Sequence, residues 1–322
     1  MIDCFGGVQQ ISCIFAVEPV INLYFVFHET SFFSYLSHEK RFSPNTLEAY
    51  RGDLEGFMAH VIEQQCLTPV DEVRHFHIRS WIVSMMESGQ SPRSINRRLS
   101  CLKTYFRFLK KRKLLLKDPM NKVVAPRTGK KLPVFMQESQ MEALFSNTIF
   151  GDDFVSRQEQ LILELLYATG IRRSEASQLR INDVDFGRMT LRISGKGDKV
   201  RIIPFADYLS VLLQSFIALR SEAFPSAPAP WLFLNRKGGR LLPESIYRIV
   251  RKYLSLVTTA EQRSPHVLRH TFATHLSNRG AELNALKELL GHSNLAATQV
   301  YTHNSIERLK EIYEKTHPKG EE

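Results

Sequence analysis

Two prolines, a glycine and three cations fall within nine residues, Ala125-Pro126-Arg127-Thr128-Gly129-Lys130-Lys131-Leu132-Pro133, and no helix or strand is expected to run through them. Proline has no N–H to donate and its ring collides with a preceding helical turn, glycine loosens the backbone, and the cations demand water. The chain of 322 residues is therefore read as two parts joined here. Residues 123–133 form the expected linker, 26–122 one domain and 134–322 the other.

Upstream of the break only helical periodicity is visible. Ser43-Pro44 opens a stretch to about Gln64 in which Leu47, Tyr50, Leu54, Phe57 and Met58 recur at three- and four-residue steps. Val70 to Glu87 repeats the pattern, and Gly89 closes it. Ser91-Pro92 starts a further helix with Ile95, Leu99, Leu102, Phe106 and Leu109 on one stripe. Arg93, Arg97, Lys103, Arg107 and Lys110 lie off that stripe, so one face packs and the other is free to hold phosphate.

That last helix also carries the charge. The whole chain is +10 at pH 7, yet Arg93 to Lys131 holds fourteen lysines and arginines against Asp118 alone, which leaves the remainder slightly acidic. Tyr105, Phe106 and Phe108 interleave the run at helical spacing, as in a structured surface rather than a solvated tail. Such a surface suits a nucleic-acid backbone, with Arg93, Arg97, Lys103, Arg107 and Lys110 as candidate contacts. The four cysteines (Cys4, Cys13, Cys66, Cys101) form no CxxC pair, which argues against a zinc site or disulfide scaffold and fits a reducing cytoplasm. The first 39 residues hold no lysine or arginine, and Glu18-Pro19 interrupts their apolar stretch, so neither a secretory signal nor a membrane span is expected.

Downstream the pattern is mixed. A helix is expected from Arg157 to Ala168, and short β-type runs at Thr190 to Ser194 and Lys199 to Phe205 flank the turn Gly195-Lys196-Gly197-Asp198. A further short strand is expected around Trp231 to Leu234, with helices elsewhere to the end, including a tail at 305–318 with Ile306, Leu309 and Ile312 at helical spacing. The fold class is thus mainly α in two domains, the first all-helical and the second mixed α+β with a small antiparallel sheet.

Three short stretches carry candidate chemistry. Ser264-Pro265-His266-Val267-Leu268-Arg269-His270 begins a helix whose His266 and Arg269, three apart, share the first turn. Free N–H groups there favour an anion, and an imidazole with a guanidinium would clamp a phosphate. Ala168-Thr169-Gly170-Ile171-Arg172-Arg173-Ser174-Glu175 ends one helix at glycine and begins another, leaving arginine at a turn. Gly291-His292 ends the helix of Leu283 to Leu290, and Tyr301 comes nine residues later. A metal reading of His266, His270, His275, His292 and His303 is weak, because the HExxH glutamate is missing and Arg269 would repel a cation.

In order, Arg172, the hairpin Lys196, His266-x-x-Arg269, Gly291-His292 and Tyr301 resemble the tyrosine recombinase (phage integrase) family motif for motif. Ser264 to Leu276 and Leu290 to His303 resemble its Xer type in particular, and the likeness covers about residues 27–318. It implies an N-terminal SAM-like core-binding domain that clamps DNA and a C-terminal catalytic domain. It assigns Arg172 and Arg269 to the nonbridging phosphate oxygens, Lys196 to protonating the leaving 5′ oxygen, His266 and His292 to proton transfer and phosphate hydrogen bonding, and Tyr301 to nucleophilic attack. Glu175 would support them. Arg173 and Lys199 stand beside two of these positions; Arg172 is chosen for its distance from Thr169-Gly170 and Lys196 for its place between two glycines. The resemblance also implies no cofactor, no metal and double-stranded DNA as partner. It implies a tetramer on two DNA sites, built from copies of this chain or with a paralogous recombinase, a DNA translocase as activator, and a tail helix docked into a neighbouring subunit.

Other readings share part of the pattern. A noncatalytic DNA-binding protein would keep the basic helix but has no use for the catalytic set. A type IB topoisomerase shares the phosphotyrosine chemistry but not the two-domain layout. A mobile-element integrase or invertase uses the same core, and the Xer-like wording favours chromosome dimer resolution over it. Residues 1–25 are read as a nonessential extension from a start placed too far upstream. The amino-terminal mass of the natively expressed protein tests this: it is expected to lack those residues, and a mass that includes Met1 contradicts the reading.

Overall fold

Proline opens helix after helix in this chain, because its fixed φ and missing N–H suit the first helical position. Pro44, Pro92, Pro243 and Pro265 each begin one in the computed structural model, which describes residues 28–65, 72–129, 134–147, 150–195, 200–225, 229–291 and 303–319. The chain divides into two compact units, 1–131 and 132–322.

The first unit contains α1 (28–34), which runs on into a π-helical turn at Tyr35–Glu39, then α2 (Pro44–Gln65), α3 (His75–Glu87), α4 (Pro92–Lys111) and a 3-10 turn at Pro119–Lys122. The Ser91 hydroxyl accepts the N–H of Ser94 at 3.2 Å and so caps α4. The predicted stripe of α4, from Ile95 to Leu109, is buried against Leu54 and Phe57 of α2 and Ile78 and Trp81 of α3. Tyr105, Phe106 and Phe108 lie in the same core and anchor the helix, so they are not exposed platforms for stacking bases. Helix α3 begins at His75 rather than near residue 70, because the His77 ring accepts the backbone N–H of Arg74 at 3.1 Å and fixes the start there.

The second unit is built around α6 (Phe154–Thr169), whose residues from Leu161 onward are buried on every side. Around it lie α5 (Glu138–Asn147), α7 (Arg173–Gln178), α8 (Asp207–Ala223), α9 (Pro243–Val257), α10 (Pro265–Asn278), α11 (Leu283–Leu290) and α12 (His303–Thr316). The three strands β1 (Val184–Asp185), β2 (Thr190–Ser194) and β3 (Val200–Pro204) form one antiparallel sheet in that order. In its register Ile193 faces Arg201 and Leu191 faces Ile203. The turn at 196–199 lies outside the described residues.

One expectation is corrected here. Trp231 to Leu234 makes isolated bridges, Arg180 with Trp231 and Leu234 with Arg240, and no strand. The segment changes partner after each residue: Leu232 donates to the Leu179 carbonyl on one side, Leu241 donates to the Phe233 carbonyl on the other, and Pro230 has no N–H with which to extend a ladder. The tail helix α12 contributes to the core of its own unit. Leu309 and Tyr313 join the core of α6 and α10, and His317 stacks on Tyr313 with ring centroids 4.8 Å apart.

Among the described residues no helix is long and apolar enough to cross a membrane. Asp53 is buried on α2 and accepts from both terminal nitrogens of Arg97, with Nη2 to Oδ1 at 2.8 Å, while Arg98 Nε stands 3.7 Å away. Removing this carboxylate strands two guanidiniums beside an apolar interface. Because Arg97 is half exposed, the loss is smaller than for a fully buried pair: Asp53→Ala is expected to destabilise the first unit by about 1–3 kcal/mol in denaturant unfolding.

Candidate active site

The site begins where α6 stops. Gly170 adopts φ 59°, and a Cβ at this position would sit 2.5 Å from Cδ1 of Phe272 and 3.1 Å from Cδ2 of Leu290. Only glycine permits both the left-handed turn and that close approach. The chain therefore reverses at once, Ile171 enters the core, and Arg172 becomes the N-cap of α7.

Glu175 in α7 binds two guanidiniums at once. Its carboxylate accepts the backbone N–H of Arg172 at 2.7 Å and Arg172 Nη1 at 2.8 Å. From β3, Arg201 adds Nη1 to Oε1 at 2.9 Å and Nη2 to Oε2 at 2.7 Å. Burial alone would push the Glu175 carboxyl up, but the hydrogen bonds and charges of Arg201 and then Arg172 override it and hold the pKa at about 2. The remaining side of Arg201 is engaged as well, since its Nε donates to the Leu289 carbonyl at 2.9 Å.

Another guanidinium is seated across two helix ends. Arg269, in the second turn of α10, donates Nη1 to the Gly170 carbonyl and Nη2 to the Leu290 carbonyl, both at 2.6 Å. Both acceptors lie at helix C-termini, where the carbonyl dipoles favour a cation and offset part of the desolvation of a side chain only 9% exposed. Burial first, and then the charges of Arg172 and Arg201, lower its pKa to about 10, so it stays cationic at neutral pH. His266, one turn earlier and exposed, is held below its ordinary value by desolvation and then by Arg269, Arg173 and Arg172, which favours its neutral imidazole. Helix α11 ends at Gly291 with φ 65°, where a Cβ would stand 3.1 Å from Cδ of Arg201.

Three guanidiniums thus gather around one carboxylate, and the positive excess suits an anion with two accessible oxygens. Of the six sequence-derived catalytic candidates, Arg172, His266 and Arg269 come together here, while Lys196, His292 and Tyr301 lie outside the described residues. The neighbouring Arg173 turns to α9, where it pairs with Glu244 at 3.0 Å and lies over the Tyr247 ring. On α4, Arg93, Lys103, Arg107 and Lys110 are exposed, whereas Arg97 is drawn onto Asp53. His275 is engaged between the Tyr167 hydroxyl at 3.0 Å and the Met136 carbonyl at 2.9 Å. Among the described residues no group of His, Cys, Asp and Glu side chains gathers as a metal site.

The sequence reading missed Arg201. Its signal was present in Val200-Arg201-Ile202-Ile203-Pro204, where strand alternation puts Arg201 on the same buried face as Ile203. A cation at an inward position demands a buried partner of opposite sign, and Glu175 is that partner.

The profile of the Phage integrase family matches residues 134–308, and that of the phage integrase N-terminal SAM-like domain matches residues 30–113. Tyrosine recombinase XerC of Oceanobacillus iheyensis is 36% identical over 90% of this chain and 95% of its own length. Tyrosine recombinase XerC of Bacillus subtilis gives the same three figures. Among solved structures, the Tn1549 transposon integrase in complex with circular intermediate DNA superposes with a TM-score of 0.64 at 25% identity, covering 87% of this chain and 98% of that one. The site-specific recombinase XerH bound to its difH substrate shares the fold, with a TM-score of 0.63 at 24% identity over 81% and 78% of the two chains. With a helical SAM-like unit ahead of a catalytic unit that gathers Arg172, His266 and Arg269, this chain belongs to the phage integrase family of tyrosine recombinases.

Proposed function

We propose that this chain is a site-specific DNA recombinase that cuts and rejoins strands through a 3′-phosphotyrosine at Tyr301, acting in Xer-type chromosome dimer resolution in the cytoplasm. The observation that carries the reading is the pair of guanidiniums held in place at one junction, Arg172 on buried Glu175 and Arg269 on the Gly170 and Leu290 carbonyls, with His266 one turn from Arg269.

A phosphodiester is anionic and repels an incoming phenolate, and its alkoxide leaves poorly without a proton. Arg172 and Arg269 answer the first difficulty by spreading the charge of the five-coordinate transition state over preorganised donors. Lys196 answers the second as it gives a proton to the departing 5′ oxygen. A tyrosine of ordinary pKa is only about 0.1% ionised at pH 7, so His266 takes the phenol proton during attack. The Tyr301 oxygen bonds to phosphorus as the bond to the 5′ oxygen breaks. A 5′ hydroxyl from another strand then reverses the attack, and no nucleotide cofactor is consumed because the phosphotyrosine keeps the energy of the broken bond. The exposed cations of α4 hold the duplex backbone.

The XerC relatives, at 36% identity over 90% of this chain, support dimer resolution. Integration of a mobile element is the second reading, supported by the likeness to the Tn1549 integrase at 25% identity. Double-stranded DNA is the proposed partner, in a tetramer spanning two sites, with a paralogous recombinase and a DNA translocase as further candidates.

Covalent trapping tests the reaction. Purified protein is incubated with nicked fragments of its own genome, and SDS-resistant adducts are isolated and sequenced. Adducts are expected in EDTA without ATP, at one recurring sequence, and are expected to vanish in Tyr301→Phe; duplex binding without any adduct contradicts the proposal. The pH profile tests His266 separately. Its lowered pKa keeps the imidazole neutral further into acid than an ordinary histidine, so the trapping rate is expected to hold from pH 8 to 7 and to fall on the acid side as the imidazole protonates. His266→Gln is expected to lower the rate about 100-fold and to flatten this limb, whereas an unchanged limb would remove His266 from the proton transfer.

A further inference from the structure

We propose that Arg201 is a positioning residue for strand transfer: from β3 it locks Glu175, and through Glu175 the guanidinium of Arg172, while holding the end of α11 that leads directly to His292. This inference rests on the function proposed above.

Arg201 does not bind the phosphate itself. Its side chain is 6% exposed, its two terminal nitrogens donate to Glu175, and its Nε donates to the Leu289 carbonyl. Nor is its presence explained by packing. Ile203 on the same face of β3 and Ile193 across the ladder are fully buried, and an aliphatic side chain at 201 would avoid the cost of desolvating a guanidinium. What an aliphatic residue lacks is the capacity to fix a carboxylate.

Glu175 receives four hydrogen bonds, two from Arg172 and two from Arg201. A carboxylate has about four such acceptor positions, so neither oxygen is free to turn. Arg172 is pinned through its backbone and one Nη, and its other donors are left for an oxyanion. Without Arg201 the carboxylate would keep only the Arg172 pair, and Arg172 could swing with it. Arg201 also packs under Gly291, where any Cβ would crowd its Cδ and Nη1 at 3.1 and 3.3 Å. One buried side chain therefore ties the carboxylate of α7 to the end of α11. Lysine is no substitute, because a single ammonium cannot span two carboxylate oxygens and the Leu289 carbonyl together.

The test uses the full chain as wild type, Arg201→Met, Arg201→Lys, Arg172→Ala and the double variant Arg172→Ala/Arg201→Met. The probe is a nicked duplex bearing the trapped sequence, with either phosphate or uncharged methylphosphonate at the scissile position. On phosphate, Arg201→Met is expected to lose about 100-fold in trapping rate with unchanged duplex affinity. On methylphosphonate, where less charge needs neutralising, its deficit relative to wild type is expected to shrink to less than about 10-fold. The double variant is expected to lose less than the product of the two single losses, since much of the effect of Arg201 passes through Arg172. Equal losses on the two substrates, or additive losses in the double variant, would overturn the inference. If Arg201→Met fails to fold, Arg201→Lys gives the same comparison with a smaller deficit. A readout free of catalysis is the nitrogen-15 spectrum of the Arg172 guanidinium without DNA, expected to show hindered rotation in wild type and averaging in both Arg201 variants. A wild-type protein that forms no adduct would count against the proposed reaction, while the spectrum would still decide the role of Arg201.

Discussion

One carboxylate holds this site together. Two guanidiniums a few ångströms apart repel by about 4 kcal/mol at the dielectric of a protein surface, and here three approach one another around the junction of α6, α7, β3 and α10. Glu175 makes the assembly possible by bonding Arg172 and Arg201 at once, and their charges and hydrogen bonds hold its pKa at about 2 against the opposing effect of burial. By linkage, the stability that comes from this charge is present above the ordinary value of 4.5 and is lost as pH falls towards 2.

Around the carboxylate the fold supplies acceptors by the way its helices end. Arg269 lies between the last carbonyls of α6 and α11, so its seat exists only where both helices stop on time. Gly170 stops the first against Phe272 and Leu290, and Gly291 stops the second against Arg201. Phe272 also meets the ring of His317, so the body of α10 that carries His266 and Arg269 is packed on the tail of α12. A phosphate would meet donors whose geometry was set during folding, which is the condition under which hydrogen bonds lower a barrier rather than merely bind.

Much of this architecture was legible in the sequence. Apolar spacing located α2, α4 and α6, proline marked three helix starts, and two β-type runs around a glycine turn became β2 and β3. The turn at Gly170 was readable because left-handed backbone leaves a chemical signature. Other features depend on contacts distant in the chain, which periodicity does not record. Arg201 reads as an ordinary cation of a short strand until Glu175, 26 residues earlier, is seen opposite it. Arg97 reads as a free phosphate ligand until Asp53 claims it from α2. Spacing reveals that the apolar face of α12 must be covered, but the contacts of Leu309 and Tyr313 with α6 and α10 appear only in the fold.

The most direct measurement of the central claim is a crystal structure of the protein trapped on DNA through its phosphotyrosine. The account predicts that Tyr301 is joined to a 3′ phosphate whose nonbridging oxygens accept from Arg172 and Arg269, with Arg201 still bonded to Glu175 and to the Leu289 carbonyl. A scissile phosphate bound by Arg201 itself, or one lying away from Arg172 and Arg269 with the Glu175 cluster undisturbed, would contradict it.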